Sequence, residues 1–153
     1  MKIFADSSIL VEHVKGSKTN FIEACLEGSA VMHISSTVVS EFLFHSLAIR
    51  GNKSPLTIKM NGEISTYLDE KEVSTFLSQF SILSTNIEIV SAVPSLMVKY
   101  NLLSNDALIL ATCLHHSLPY LASYDENDFR GACAAEGITL ISSVAEAEQY
   151  LTN

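Results

Sequence analysis

Between Asn101 and Phe129 the chain reads NLLSNDALILATCLHHSLPYLASYDENDF, a stretch that leaves little choice of fold. Ala107 to Leu114 carry almost no polar face, so a helix here must be largely buried. Ser104 or Asn105 is placed to cap that helix. Asp106 then falls in its first turn, where a carboxylate suits the exposed N–H groups. Pro119 forbids continuation, and Tyr120-Leu121-Ala122-Ser123 follows as a short apolar run of the kind found in buried parallel strands. Asp125 comes just past that strand, with Glu126 and Asp128 close behind. Acidic groups thus stand at the ends of buried elements, where α/β proteins place their chemistry.

The rest of the chain repeats the alternation. Lys2-Ile3-Phe4-Ala5 is a short apolar strand ended by Asp6, and Ser7 opens a helix that stops at Gly16. A helix from about Lys18 to Leu26 precedes a second strand, Ala30 to Ile34. Ser35-Ser36-Thr37 offers a cap for a third helix, Val38 to Ile49, closed by Gly51. Asn52 to Gly62 is the most polar connection, in which Ser54-Pro55 can start a helical turn. Ser65 to Phe80 has the apolar spacing of one further helix. Ile87 to Val90 is the candidate for a third strand, and a helix from about Pro94 to Leu102 leads into the opening stretch. A short helix around Phe129 to Ala135, a strand from Ile138 to Ile141 and a helix from Val144 to Leu151 complete the chain. Strands alternating with helices predict a parallel sheet flanked by helices.

Composition narrows the function. The 153 residues are 48% hydrophobic and 17% charged, with mean hydropathy +0.28, which is a globular balance. One domain spanning 1–153 is expected, with a helical insertion around 52–80. No apolar run approaches the roughly 20 residues of a membrane span. Asp6 and Glu12 break up the run a secretory leader would need, so a cytoplasmic location is expected. Cys25, Cys113 and Cys133 are widely spaced and read as small apolar fillers. His115-His116 lacks metal-ligand spacing and reads as a polar helix end. Asp and Glu outnumber Lys and Arg by 17 to 9, for a net charge of −8. An ordinary nucleic-acid binder shows a basic face, and no Lys/Arg cluster exists here. A protein of this charge that handles a polyanion must import positive charge.

Asp6, Asp106 and Asp125, taken singly, have an easy structural explanation as helix caps. Glu41 could lie on a solvent stripe with Thr37 and His45, although no Lys or Arg stands three or four residues away to pair with it. Together the four are harder to dismiss. Asp6 and Asp125 end strands that a parallel sheet brings to one rim, and Asp106 begins the helix before the second of them. Carboxylates that converge repel one another and hold protons unless a cation intervenes. Mg²⁺ or Mn²⁺ suits such oxygen ligands. Either ion binds phosphate and lowers the pKa of a water.

At these residues the sequence resembles the PIN domain of metal-dependent ribonucleases, in particular the small VapC-type toxins. The motifs are FADSSIL, SSTVVSEFL, NDALILATC and LASYDENDF, in that order, and the likeness runs from Lys2 to about Ser142. The resemblance implies a three-layer α/β/α sandwich around a central parallel sheet. It implies catalytic Asp6, Glu41, Asp106 and Asp125, with Asp6, Asp106 and Asp125 as metal ligands. Ser8, Ser123 and Asp128 take supporting places. The family's usual ending D-x-D-F is here D-E-N-D-F, one residue longer, and Asp125 is favoured over Asp128 as the nearer to the strand.

The implied activity is endonucleolytic cleavage of single-stranded RNA with Mg²⁺ or Mn²⁺, leaving a 5′-phosphate and a 3′-hydroxyl. The implied setting is a toxin–antitoxin pair, with an antitoxin protein blocking the site and the toxin a homodimer. Two other classes compete. Phosphatases of the haloacid dehalogenase type need a second Asp where Ser8 stands, and receiver domains need a late Lys, whereas none follows Lys99. A binding-only PIN fold is expected to lose acids, and all four are present.

Overall fold

In the computed structural model, which describes residues 1–151, strand β1 (Lys2–Ala5) occupies the middle of a five-stranded sheet. The order is β3-β2-β1-β4-β5 and every pair is parallel, with β2 Val31–Ser35, β3 Ser81–Leu83, β4 Tyr120–Ala122 and β5 Thr139–Ile141. Ile3, Phe4 and Ala5 are all buried although their side chains alternate between faces, as a sheet covered by helices on both sides requires. The architecture is the expected α/β/α sandwich.

The chain leaves β1 toward β2 and β3, then returns across the sheet to β4 on the other flank of β1. That reversal puts a topological switch point between β1 and β4, where open α/β sheets bind ligands. Register sharpens it: Ala5 pairs with Ala122, so Asp6 and Ser123 leave the sheet side by side. The Asp6 N–H donates to the Ala122 carbonyl at 2.9 Å.

Helix α1 (Ser7–Val14) starts at Asp6, and α2 (Asn20–Glu27) ends at Gly28, close to the expected bounds. Helix α3 runs Ser36–Gly51, capped by the Ser35 hydroxyl. Gly51 is its last helical residue rather than its stop; Asn52 takes the left-handed turn, with φ of 46°. Ser54 caps α4 (Pro55–Met60), as Ser54-Pro55 foretells.

Three expectations fail. The single helix over Ser65–Phe80 is broken into α5 (Ile64–Tyr67) and α6 (Glu70–Leu77), because Leu68 is extended and Asp69 caps a new start through the Glu72 N–H at 2.8 Å. Ile87–Val90 is no strand. The Asn86 side chain accepts from Ile89 N at 3.0 Å and begins α7 (Ile87–Tyr100), which buries Ile89 and Leu96 on one face and carries Pro94 inside it rather than at its start. The true third strand, Ser81–Leu83, sits at a sheet edge with Ile82 exposed. The third concerns α8 (Ser104–His115): neither Ser104 nor Asn105 caps it, and Leu103 holds the cap position with no side-chain bond. Helix α9 (Glu126–Glu136) is longer than expected, and α10 spans Val144–Leu151. All three cysteines are buried free thiols. No helix among the described residues is long and apolar enough to cross a membrane.

Gly51 allows α3 to meet α4. A Cβ there would lie 2.5 Å from Cδ1 of fully buried Ile58 and 3.3 Å from Cδ2 of Tyr67. Alanine gains at most about 1 kcal/mol in helix propensity, and less at a helix end, whereas overpacking costs about 1–3 kcal/mol. Gly51→Ala should therefore destabilise by about 1 kcal/mol in urea unfolding. Adding Ile58→Val, which removes the clashing methyl, should cost less than the sum of the two single changes. Additive effects would disprove the clash.

Candidate functional site

Asp6 is the most buried carboxylate named by the sequence, at 2% exposure. It caps α1, as the structural explanation holds, but its bonding goes further than a cap. Its Oδ1 accepts from Ser7 N at 2.6 Å and from the Ser7 hydroxyl at 3.3 Å. Its Oδ2 accepts from Ser8 N at 3.3 Å, the Ser8 hydroxyl at 2.7 Å and the Ser123 hydroxyl at 2.8 Å. The two hydroxyls also accept: Ser8 Oγ from Tyr124 N and Ser123 Oγ from Asp125 N, both at 3.0 Å. With their single protons directed at Asp6, the 3.4 Å Ser8–Ser123 approach is a contact, not a further bond. Ser8 and Ser123 thus connect the first carboxylate to the loop that carries Asp125.

Asp125 stands at the cap position of α9, yet its side chain caps nothing. Asp106 lies in the first turn of α8, half-buried. Glu41, in the second turn of α3, accepts a 2.6 Å bond from the Asn105 side chain. That bond joins α3 to α8 and explains why Asn105 is not a cap. The sequence offered no signal for it beyond a polar residue beside Asp106.

The carboxylates act on one another. Burial and then Asp6, Asp128, Glu41 and Asp125, in falling order, push the Asp106 carboxyl up to about 6. Burial, Asp6, Asp128 and Glu41 likewise raise Asp125. The groups acting most strongly on both residues are thus all acidic. Asp128 repels Asp106 more than Asp125 does, so the residue given a supporting place carries at least equal weight at Asp106.

A cavity of about 610 Å³ lies elsewhere, lined by His13, Phe42, Arg50, Glu72 and Phe76 among others, and none of these carboxylates touches it. Asp6 and Asp125 hold the cap positions of α1 and α9, and Asp106 lies in the first turn of α8. Among the described residues no three His, Cys, Asp or Glu side chains are arranged to hold an ion unaided. The donor set still fits Mg²⁺ or Mn²⁺: hard oxygens, mutual repulsion, and an ion that keeps several waters and needs only one or two protein carboxylates.

Asp106 has a consequence for stability. A carboxyl raised in the folded state binds its proton more tightly there than when unfolded, so stability falls as pH rises from about 4 through about 6. Two units correspond to about 3 kcal/mol as an upper bound. Partial exposure cuts this to about 1–2 kcal/mol. In EDTA at pH 7, Asp106→Asn should be more stable than the parent by that amount, and the gain should vanish near pH 4. Equal stabilities at both pH values, by denaturant melts, would refute the repulsion.

Comparison with known proteins identifies the family. The PIN domain family model matches residues 3–135. Ribonuclease VapC2 of Methanocaldococcus jannaschii is 37% identical over 131 residues, covering 84% of this chain and 87% of that protein. Ribonuclease VapC6 of the same organism is 27% identical over 136 residues, covering 82% and 89%. Among solved structures, a toxin–antitoxin complex from Klebsiella pneumoniae superposes with a TM-score of 0.62 at 22% identity, covering 92% of this chain and 96% of that one. DNA-bound VapBC from Salmonella typhimurium gives 0.65 at 16% identity, with 92% and 97% covered. The structural likenesses speak for the fold, and the family match and the 37% identity decide membership: the chain belongs to the PIN domain family.

Proposed function

We propose that this protein is a metal-dependent endoribonuclease that cleaves single-stranded RNA, the toxin of a toxin–antitoxin pair. The observation that carries the reading is the cluster of Asp6, Glu41, Asp106, Asp125 and Asp128 at the switch point, raising Asp106 to about 6. Such repulsion costs stability and serves no structural end visible around it. The relatives named ribonuclease VapC2 and VapC6 support the same activity. The toxin–antitoxin complexes among the fold neighbours support an antitoxin partner.

In this reading Asp6 and Asp106 hold Mg²⁺ or Mn²⁺ with Asp125 or Asp128. When bound, the ion supplies Lewis acidity toward phosphate and a water of lowered pKa. The chain's own residues do the rest. Ser8 and Ser123 fix Oδ2 of Asp6 and Ser7 fixes Oδ1, so the first ligand needs no reorganisation. Asn105 holds Glu41 facing the rim, where its free oxygen can orient the attacking water. The helical stretch 52–80 belongs to a single domain as an insertion. A second copy is the occupant proposed for the outer face of α7, where Ile87, Val90, Pro94 and Val98 form an exposed stripe, Val98 at 87% exposure. Val98→Glu should then give a folded monomer in sedimentation, with a melting temperature that no longer depends on protein concentration, and an unchanged mass would remove the dimer.

Purified protein should cut single-stranded RNA with Mn²⁺ or Mg²⁺ and stop in EDTA. Asp6→Asn keeps size but loses charge, and should lower turnover roughly a hundredfold or more while RNA binding changes little. Asp125→Asn and Asp128→Asn, compared side by side, identify the third ligand by the larger loss. Equal cutting by the parent and Asp6→Asn preparations would expose a contaminant. Binding without cutting under either metal would leave a binding module in place of the nuclease.

A further inference from the structure

Resting on the nuclease reading, we propose that Lys18, seated on the ring of Tyr124, is the contact for an RNA backbone phosphate on the flank of the carboxylate rim. The chain has nine Lys and Arg residues, and five are held by acids: Lys15 by Glu12, Arg50 by Glu72, Lys53 by Glu63, Lys99 by Glu136 and Arg130 by Glu126. Cations so paired have little left for a polyanion. Lys18 is exposed and, among the described residues, makes no ion pair. Its charge reaches Glu12, but that carboxylate is bound by Lys15 at 2.6 Å and by the Ser17 hydroxyl at 2.5 Å.

Lys18 is nonetheless held in place. Its Nζ lies 3.7 Å from the centroid of the Tyr124 ring, which packs edge-on against buried Phe21 at 6.2 Å. A ring face attracts an ammonium without neutralising it, and leaves N–H groups directed outward. Tyr124 is tied to the site by its backbone. Its N–H donates to Ser8 Oγ, which donates to Asp6, and its neighbour in sequence is Asp125. The aromatic seat therefore sets a cation at a fixed offset from the first carboxylate. Lys2 lies at the opposite end of β1, Lys59 is on α4 and Lys71 lines the cavity that none of the rim carboxylates touches. Lys18 is the uncommitted cation that the architecture connects to the rim.

A single phosphate contact on single-stranded RNA contributes about 0.7 to the slope of log affinity against log salt. It should act alike on all sequences. Binding of a labelled mixed-sequence single-stranded RNA is measured across a salt series in the inert Asp6→Asn background, with and without Lys18→Ala. Cleavage by the Mn²⁺-loaded protein is measured with the Lys18 change alone. Lys18→Ala should flatten the salt slope by about 0.7 and raise KM roughly three- to tenfold, with kcat falling far less. Lys18→Arg and Tyr124→Phe should keep the parent slope, and Tyr124→Leu should behave like Lys18→Ala. Lys18→Glu should be worse than Lys18→Ala, with melting temperature unchanged because the side chain is exposed. If the parent binds and cuts RNA and Lys18→Ala matches it in slope and KM, the anchor is wrong and the nuclease stands. If the parent neither binds nor cuts, both readings fall.

Discussion

One bonded unit holds the rim together: the Asp6 carboxylate and the hydroxyls of Ser8 and Ser123. Five donors converge on two oxygens that are almost wholly withdrawn from water. A buried carboxylate without such partners would take up a proton or open the fold. Satisfied in this way, it ties three things that a sheet alone would not fix. These are the end of β1, the start of α1 and the turn after β4. Three other carboxylates are positioned relative to that junction: Asp125 through Ser123, Asp106 because α8 packs against α3 and α9, Glu41 through Asn105.

The same junction divides what the sequence could reveal from what it could not. Strand ends followed by Asp and a buried helix opened by Asp106 were legible, because each leaves a local mark in spacing, whereas the hydroxyl of Ser123 came only with the family resemblance. Four of the five strands followed from apolar runs. The failed one is instructive. Ile87-Glu88-Ile89-Val90 has the alternation and β-branching of a strand, but Asn86 is a strong cap and the buried positions Ile89 and Leu96 lie seven apart on a helix. Tertiary burial overrode local propensity. The real edge strand has only three residues and exposes its middle one, so no periodicity could mark it. The break between α5 and α6 was hidden for a related reason: the apolar spacing continues across Leu68-Asp69, and only the cap at Asp69 interrupts it.

At the site, the ambiguity between cap and catalyst resolves differently for each residue. Asp6 is both. Asp125 holds a cap position but makes no capping bond, so its carboxylate is left for something else. Asp106 bears a cost that a surface acid in a first helical turn would not, since the dipole there favours the charge while its neighbours oppose it. Asn105 shows the limit of local reasoning. Its neighbourhood at a helix start suggested a cap, whereas its partner Glu41 lies 64 positions earlier. No local pattern predicts a bond between two helices that meet only after the sheet has assembled.

The charge balance then becomes a statement about mechanism rather than composition. Five of the nine cations are paired with acids, and five of the twelve acids outside those pairs, Asp6, Glu41, Asp106, Asp125 and Asp128, act on one another at the switch point. On the nuclease reading proposed above, such a rim repels the scissile phosphate until the acids are neutralised, so seating that phosphate would follow metal loading. The order matters physically, because the ion removes repulsion among the carboxylates and between them and the strand in one step. A protein that gripped RNA through a broad basic face would bind it with or without the ion. On that reading the acidic rim makes the seating of the scissile phosphate, rather than the grip on the flanking strand, conditional on the group that would also supply the chemistry.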